Sequence, residues 1–167
     1  GQSAQQTHDQ RYDAADEFME VVYRLWEGSW EDDAVVADKQ AHVFVDPAKV
    51  HRVQFDGAHY RVDAIHLCEP SPQRTPVLFQ AGSSERGRAF AARHAECVFI
   101  LQASKPAAAA LVSDLRARAV AQGRGADDLR IFNMATVITG RDEAEARAKL
   151  ADFRRYVSAE SVLVGLS

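Results

Sequence analysis

The chain has 167 residues, about one domain's worth and enough to bury a sizeable core. Hydrophobic residues make up 47% and charged residues 26%, an ordinary balance for a soluble globular protein. The formal net charge of −4, without any lysine- or arginine-rich tract, argues against nucleic acid and against a membrane surface as partners.

No apolar run approaches the ~20 residues of a membrane span, and the opening GQSAQQTHDQ has no signal-peptide core. Cys68 and Cys97 belong to no CxxC pair and read as free thiols of a reducing compartment, so a cytoplasmic protein is expected. The six histidines are scattered, with neither HxxxH nor HxH, and no metal site is expected.

In chain order, residues 12–26 read as a helix. Ala15, Phe18, Met19, Val22, Leu25 and Trp26 repeat at helical spacing, Asp16, Glu17, Glu20 and Arg24 fall off that face, and Gly28 closes it. Residues 29–74 show no long period. Turns are marked at Asp46-Pro47 and at Asp56-Gly57, the latter between VQF and HYRV as in a short hairpin, and Glu69-Pro70-Ser71-Pro72 is an extended connector. The segment reads as an insertion between core elements, of the kind that often serves as a lid.

The rhythm then changes. TPVLFQ (75–80) is a strand, 84–95 a helix with Phe90, Ala91 and His94 on one side, and CVFIL (97–101) a second buried strand. Residues 106–122 form a helix on Leu111, Leu115 and Ala119, closed by Gly123. IFNMATVIT (131–139) is a third strand, and 142–157 a helix with Ala146, Leu150, Phe153 and Val157 in register. Three strand–helix alternations predict an α/β fold with a parallel sheet. An open doubly wound sheet and a (β/α) barrel both fit.

The handover from strand to helix at Ala81-Gly82-Ser83-Ser84 is the chemically suggestive point. A helix start presents free N–H groups and partial positive charge. Gly82 has no Cβ to hold a ligand away, the two serines carry hydroxyl donors, and Arg86 and Arg88 lie nearby, a combination that suits a phosphate. The same serines equally suit an N-cap, worth about 1 kcal/mol with no ligand at all. The turn is no GxxxxGK[ST] loop, so a nucleoside triphosphate is not expected.

HDQRYDAADEFMEVVYRLWEGSWEDDAVV (8–36), DPAKVH (46–51) and HLCEPSPQRTPVLFQAGSSERGRAFAARHAECVF (66–99) resemble the flavin-dependent monooxygenases of the bacterial-luciferase-like superfamily. Within it the chain is similar to the branch acting on nitrilotriacetate, EDTA, dibenzothiophene sulfone and long-chain alkanes, above all the alkane enzymes, through YRLWEGSWED and HLCEPSPQRTP. That resemblance implies a (β/α)₈ TIM barrel and reduced FMN (FMNH2) delivered by a separate NAD(P)H:flavin oxidoreductase. It further implies O₂ activation as a flavin C4a-(hydro)peroxide, transfer of one oxygen atom to a small organic substrate, and a homo-oligomeric assembly. It puts the FMN phosphate on Gly82, Ser83 and Ser84, with Arg11 and Tyr12 of RYD reaching it from the other side. Tyr12 also reads as a partly buried aromatic at a helix start.

A barrel of this type needs eight strands and about 250 residues. On the family pattern the strands here are the fifth to seventh, with 29–74 as an insertion, so the chain is expected to be the middle of a longer enzyme. The family's catalytic histidines sit mainly on the other strands, and no catalytic residue is named. The alkane enzymes carry histidines just after the last helix, whereas this chain reads SAESVLVGLS at 158–167. Other readings are a non-catalytic barrel remnant acting as an interaction module, and a barrel using coenzyme F420, against which RYD and HLCEPSPQRTP speak. His94 reads as a satisfied core histidine, Asn133 as a structural hydrogen-bonder or a flavin-facing polar group, and Cys97 as packing. His59, Tyr60 and His66 read as surface or entrance residues, and Trp26 and Trp30 as anchors of the insertion.

Overall fold

The computed structural model describes residues 6–158. The chain divides into one unit ending at Asn133 and a second beginning at Met134.

Helix α1 spans His8–Gly28, one turn earlier than the apolar period suggests. A capping box explains the early start: Gln10 N donates to Thr7 Oγ1 at 3.3 Å, and Thr7 N donates back to Gln10 Oε1 at 3.0 Å. Its buried face is Met19 and Val21, whereas Phe18 is exposed, its ring 5.8 Å from that of Tyr60.

The segment after α1 contains no α-helix. It folds as two antiparallel hairpins, β1 (Val35–Asp38) with β2 (Val43–Val45) and β3 (Val53–Asp56) with β4 (Arg61–Ala64). The second is the hairpin foreseen around Asp56-Gly57. The first escaped the sequence reading, because its valines have no regular polar alternation and its register slips. Trp30 Nε1 donates to His66 O at 2.8 Å, and buried Ser29 donates to His51 O and accepts from His66 N. Residues 29 and 30 therefore tether both ends of the β3–β4 hairpin to the end of α1. Glu17, in mid-helix, does the same for the β3–β4 turn by accepting from the N–H groups of His59 and Tyr60.

The core sheet is parallel, in the order β5 (Phe79–Ala81), β6 (Cys97–Ile100), β7 (Arg130–Asn133). Helices α2 (Glu85–His94) and α3 (Lys105–Ala121) connect the strands, and Gly123 with φ 79° ends the turn after α3. Ala91, Ala95, Val98, Ile100, Leu111, Leu115, Ala119 and Leu129 make one cluster between helices and sheet.

Two strands are shorter than expected, for the same reason: a strand lasts only while a neighbour pairs with it. Pairing of β5 begins where Leu78 O accepts from Glu96 N and Cys97 N, so residues 75–77, with Pro76 lacking an N–H, stay outside. β7 stops at Asn133, because β6 has ended at Ile100. The Asn133 side chain then bonds the Gln102 backbone instead, accepting from its N–H at 2.9 Å. Among the described residues, the sheet is covered on its helix side only. The opposite face carries a row of Phe79, Phe99 and Phe132, all exposed, with centroids 5.7 and 5.6 Å apart. The strands are thus not buried on both faces, contrary to expectation.

In the second unit, α4 (Glu143–Arg155) is capped by Asp142, which accepts from Glu145 N at 2.9 Å. The apolar register seen in its sequence buries nothing here, and Phe153 and Val157 are exposed. Of the SAESVLVGLS segment, positions 159–167 lie outside the described residues.

Candidate functional site

Ser84 is the N-cap of α2: its Oγ accepts from Gly87 N at 3.0 Å. An accepting hydroxyl keeps its own proton, so Ser84 caps the helix and still has a donor to offer. Ser83 stands exposed beside it. Both follow β5 directly, at the C-terminal end of a parallel strand, where ligand sites of α/β sheets and barrels gather. Ser83, Arg88, Gln102 and Asp114 line an open cleft of about 500 Å³ between this turn and the segment after β6.

Tyr12, 70 residues before Gly82, reaches the same turn. A Cβ built on Gly82 would lie 2.9 Å from Tyr12 Oη, and one on Gly87 would lie 2.7 Å from it. Both glycines are therefore required by close approach rather than by backbone angle. Gln80 Nε2 donates to Tyr12 Oη at 3.3 Å, which leaves the phenol proton for another acceptor. Buried Gln80 Oε1 has no partner among the described residues. The ring is held by Phe90 and His8, with centroids at 5.5 and 5.1 Å.

Arg11 is exposed in the second turn of α1, and its guanidinium makes no bond among the described residues. The structure thus brings Tyr12 onto the Gly82–Ser84 turn and gives Arg11 no contact to that turn among the described residues. Arg86 and Arg88 depart from expectation. Arg86 is taken by Asp13 and Asp16 at 2.8 and 2.6 Å, and Arg88 by Glu85 at 2.6 Å and Asp114 at 3.4 Å. Their charges are committed to carboxylates.

The other polar candidates find protein partners. His94 is nearly buried, with Nε2 2.9 Å from Asp16 Oδ1 and Nδ1 3.0 Å from Tyr23 Oη. Burial lowers its pKa more than Asp16 raises it, so the imidazole is neutral; Nε2–H donates to the carboxylate and Nδ1 accepts the phenol proton. Desolvation pushes the Asp16 carboxyl up, but hydrogen bonds from Arg86 and His94 outweigh it and hold the pKa below the ordinary range. Cys97 is buried and Cys68 exposed, both free thiols. No group of three or more metal-ligating side chains occurs among the described residues, and no described helix is long and apolar enough to cross a membrane.

Sequence reasoning missed Gln80, Gly87 and Asp16. The signals were present: a glutamine breaking an apolar run, a glycine three residues after a capping serine, and an aspartate one helical turn from Tyr12.

A family model described as luciferase-like monooxygenase matches residues 1–164. The chain is 51% identical to dimethyl-sulfide monooxygenase of Hyphomicrobium sulfonivorans over 98% of its own length and 34% of the relative's. It superposes on the crystal structure of a long-chain alkane monooxygenase with TM-score 0.86 and 49% identity, covering 95% of this chain and 36% of that one. It also superposes on a riboflavin lyase crystallised with modified FMN and riboflavin, with TM-score 0.83 and 48% identity, covering 89% and 33%. The chain spans about a third of the length of the curated relatives it matches.

Proposed function

The chain belongs to the luciferase-like monooxygenase family, and on that premise we propose that it is the phosphate-holding segment of a two-component, FMNH2-dependent monooxygenase. In this reading β5, β6 and β7 are the fifth to seventh strands of a (β/α)₈ TIM barrel. The segment 29–74 is an insertion on that barrel, and the exposed Phe79–Phe99–Phe132 row belongs to the side a barrel would enclose.

The observation that carries the reading is the seating of Tyr12 Oη on the Gly82–Gly87 turn. The hydroxyls of Tyr12 and Ser84 meet there, with Ser83 beside them in the turn, and among the described residues none of the three has a protein acceptor for its proton. The glycine at 82 leaves room for the oxygens of a phosphate monoester, and the start of α2 adds its dipole. Arg11, with no side-chain partner among the described residues, supplies charge from the α1 side. The cradle fits the phosphate of FMN. Reduced FMN, received from a separate NAD(P)H:flavin oxidoreductase, supplies O₂ activation and transfer of one oxygen atom to a small organic substrate. The residues of this chain bind and orient its phosphate end. Relatives named for dimethyl sulfide and for a long-chain alkane match about equally well, so the substrate class is a small, apolar to moderately polar organic molecule.

The test is Ser83→Ala with Ser84→Ala in the full-length polypeptide. Affinity for FMNH2 should fall tenfold or more, since each hydrogen bond to a charged group is worth about 1.5–3 kcal/mol. Stability should fall by only the ~1 kcal/mol of one N-cap. Unchanged affinity would remove the assignment.

A further inference from the structure

A largely buried polar network lies between α1 and α2, beside the phosphate turn but not part of it. At its centre is Asp16, whose two oxygens are both held from α2. Oδ1 accepts from His94 Nε2 at 2.9 Å and Oδ2 from Arg86 Nη2 at 2.6 Å. Arg93 stands 3.7 Å from Oδ1, and Tyr23 fixes the far side of the imidazole at 3.0 Å. The His94 and Asp16 side chains are 6% and 17% exposed.

Near the turn α1 and α2 also meet through the Arg86–Asp13 ion pair at 2.8 Å, on the exposed side, and through the ring contact of Tyr12 on Phe90 at 5.5 Å. Ring packing is attractive but weakly directional, so it tolerates sliding of one helix along the other. Hydrogen bonds do not, because they weaken steeply with distance and angle. Asp16 is one helical turn from Tyr12, and Arg86 lies between Ser84 and Gly87 on α2. The Arg86 guanidinium also sits 6.0 Å from the Tyr12 ring centroid. The directional grip is therefore placed within one turn of both halves of the phosphate cradle.

We propose that Asp16 is a positioning residue for flavin binding: gripped by Arg86 and His94 of α2, it sets the register of α1 and so holds the Tyr12 hydroxyl at the Gly82–Ser84 turn. The proposal rests on the phosphate reading above. It separates Asp16 from a merely stabilising ion pair, because it predicts a defect confined to the phosphate end of the ligand.

The experiment is Asp16→Asn in the full-length polypeptide, titrated anaerobically with reduced FMN and with reduced riboflavin, which lacks the phosphate. The asparagine removes the carboxylate charge gripped by Arg86 and leaves one oxygen where there were two, so the charge-assisted part of the grip is lost without a change of shape. Affinity for FMN should fall about tenfold, the worth of one charged hydrogen bond, while riboflavin binds within twofold of the parent. Adding Tyr12→Phe should cost nothing further. Equal loss for both flavins would show a general structural role and overturn the proposal. So would an unchanged FMN affinity alongside a loss in Tyr12→Phe alone. If Tyr12→Phe and the double serine variant both bind FMN normally, the phosphate reading itself has failed, and the proposal with it. Should Asp16→Asn not fold, Arg86→Gln, which releases one Asp16 oxygen together with Asp13, carries the same comparison.

Discussion

Replacing Gly87 by alanine tests the geometry of the cradle with a single methyl group. The new Cβ would lie 2.7 Å from Tyr12 Oη, 3.0 Å from Ser84 Oγ and 3.4 Å from the Gly82 carbonyl carbon. An unstrained C···O contact is about 3.3 Å or more, so the phenol has to withdraw by roughly 0.6 Å. Phe90 and His8 flank the ring, so it has to move as a body, away from the turn. The helix itself tolerates the change: glycine to alanine gains up to about 1 kcal/mol of propensity, which offsets the local crowding. Stability should therefore stay within about 1 kcal/mol of the parent. Affinity for reduced FMN should fall about tenfold, as the Tyr12 hydrogen bond to a charged phosphate is lost. Anaerobic flavin titration and thermal unfolding of full-length Gly87→Ala and Tyr12→Phe, singly and combined, read both quantities. In the Gly87→Ala background, Tyr12→Phe should add no loss, since the displaced hydroxyl no longer donates. The reasoning is refuted if Gly87→Ala binds FMN within twofold of the parent, or if Tyr12→Phe costs the same in both backgrounds.

His94 should make stability sensitive to mild acid. Its folded pKa lies below the ordinary value of 6.5, chiefly through burial, so as pH falls through 6.5 the unfolded chain takes up the proton first and the folded state loses ground, until the lowered folded pKa is passed. The melting temperature of the parent should drop below pH 6.5 more steeply than that of His94→Gln; parallel profiles would refute the burial argument. Glu17→Ala should free the β3–β4 turn, because the carboxylate is the acceptor for the N–H groups of His59 and Tyr60. Hydrogen exchange at 53–64 should speed up while the β5–β7 sheet stays protected. Desolvation raises the Glu17 pKa, but those N–H donors outweigh it and bring it below 4.5; the anchor should thus survive above pH 4.5 and be lost as pH falls through the lowered value. Uniform exchange changes across both regions would count against it.

What the sequence determined by itself was local or carried by long motifs. Helical periods located α1 to α4, and a glycine and two serines after an apolar run located the turn, because capping and turn chemistry act within three or four residues. The unbroken 66–99 stretch pointed to the family that the comparisons then established. What the tertiary structure decided was pairing across distance. β5 starts where β6 begins to offer partners and β7 stops where β6 ends, not where their apolar runs begin or end. Arg86 and Arg88 look like phosphate ligands in sequence, yet aspartates far along the chain, and for Arg88 also the nearby Glu85, pair with them. Tyr12 meets Gly82 because α1 packs on α2, a contact that includes the hydrogen bond between Asp16 and His94, 78 residues apart. Periodicity describes which face of an element is apolar; which charge meets which, and how closely a hydroxyl approaches a turn, depends on contacts between elements that no local pattern encodes.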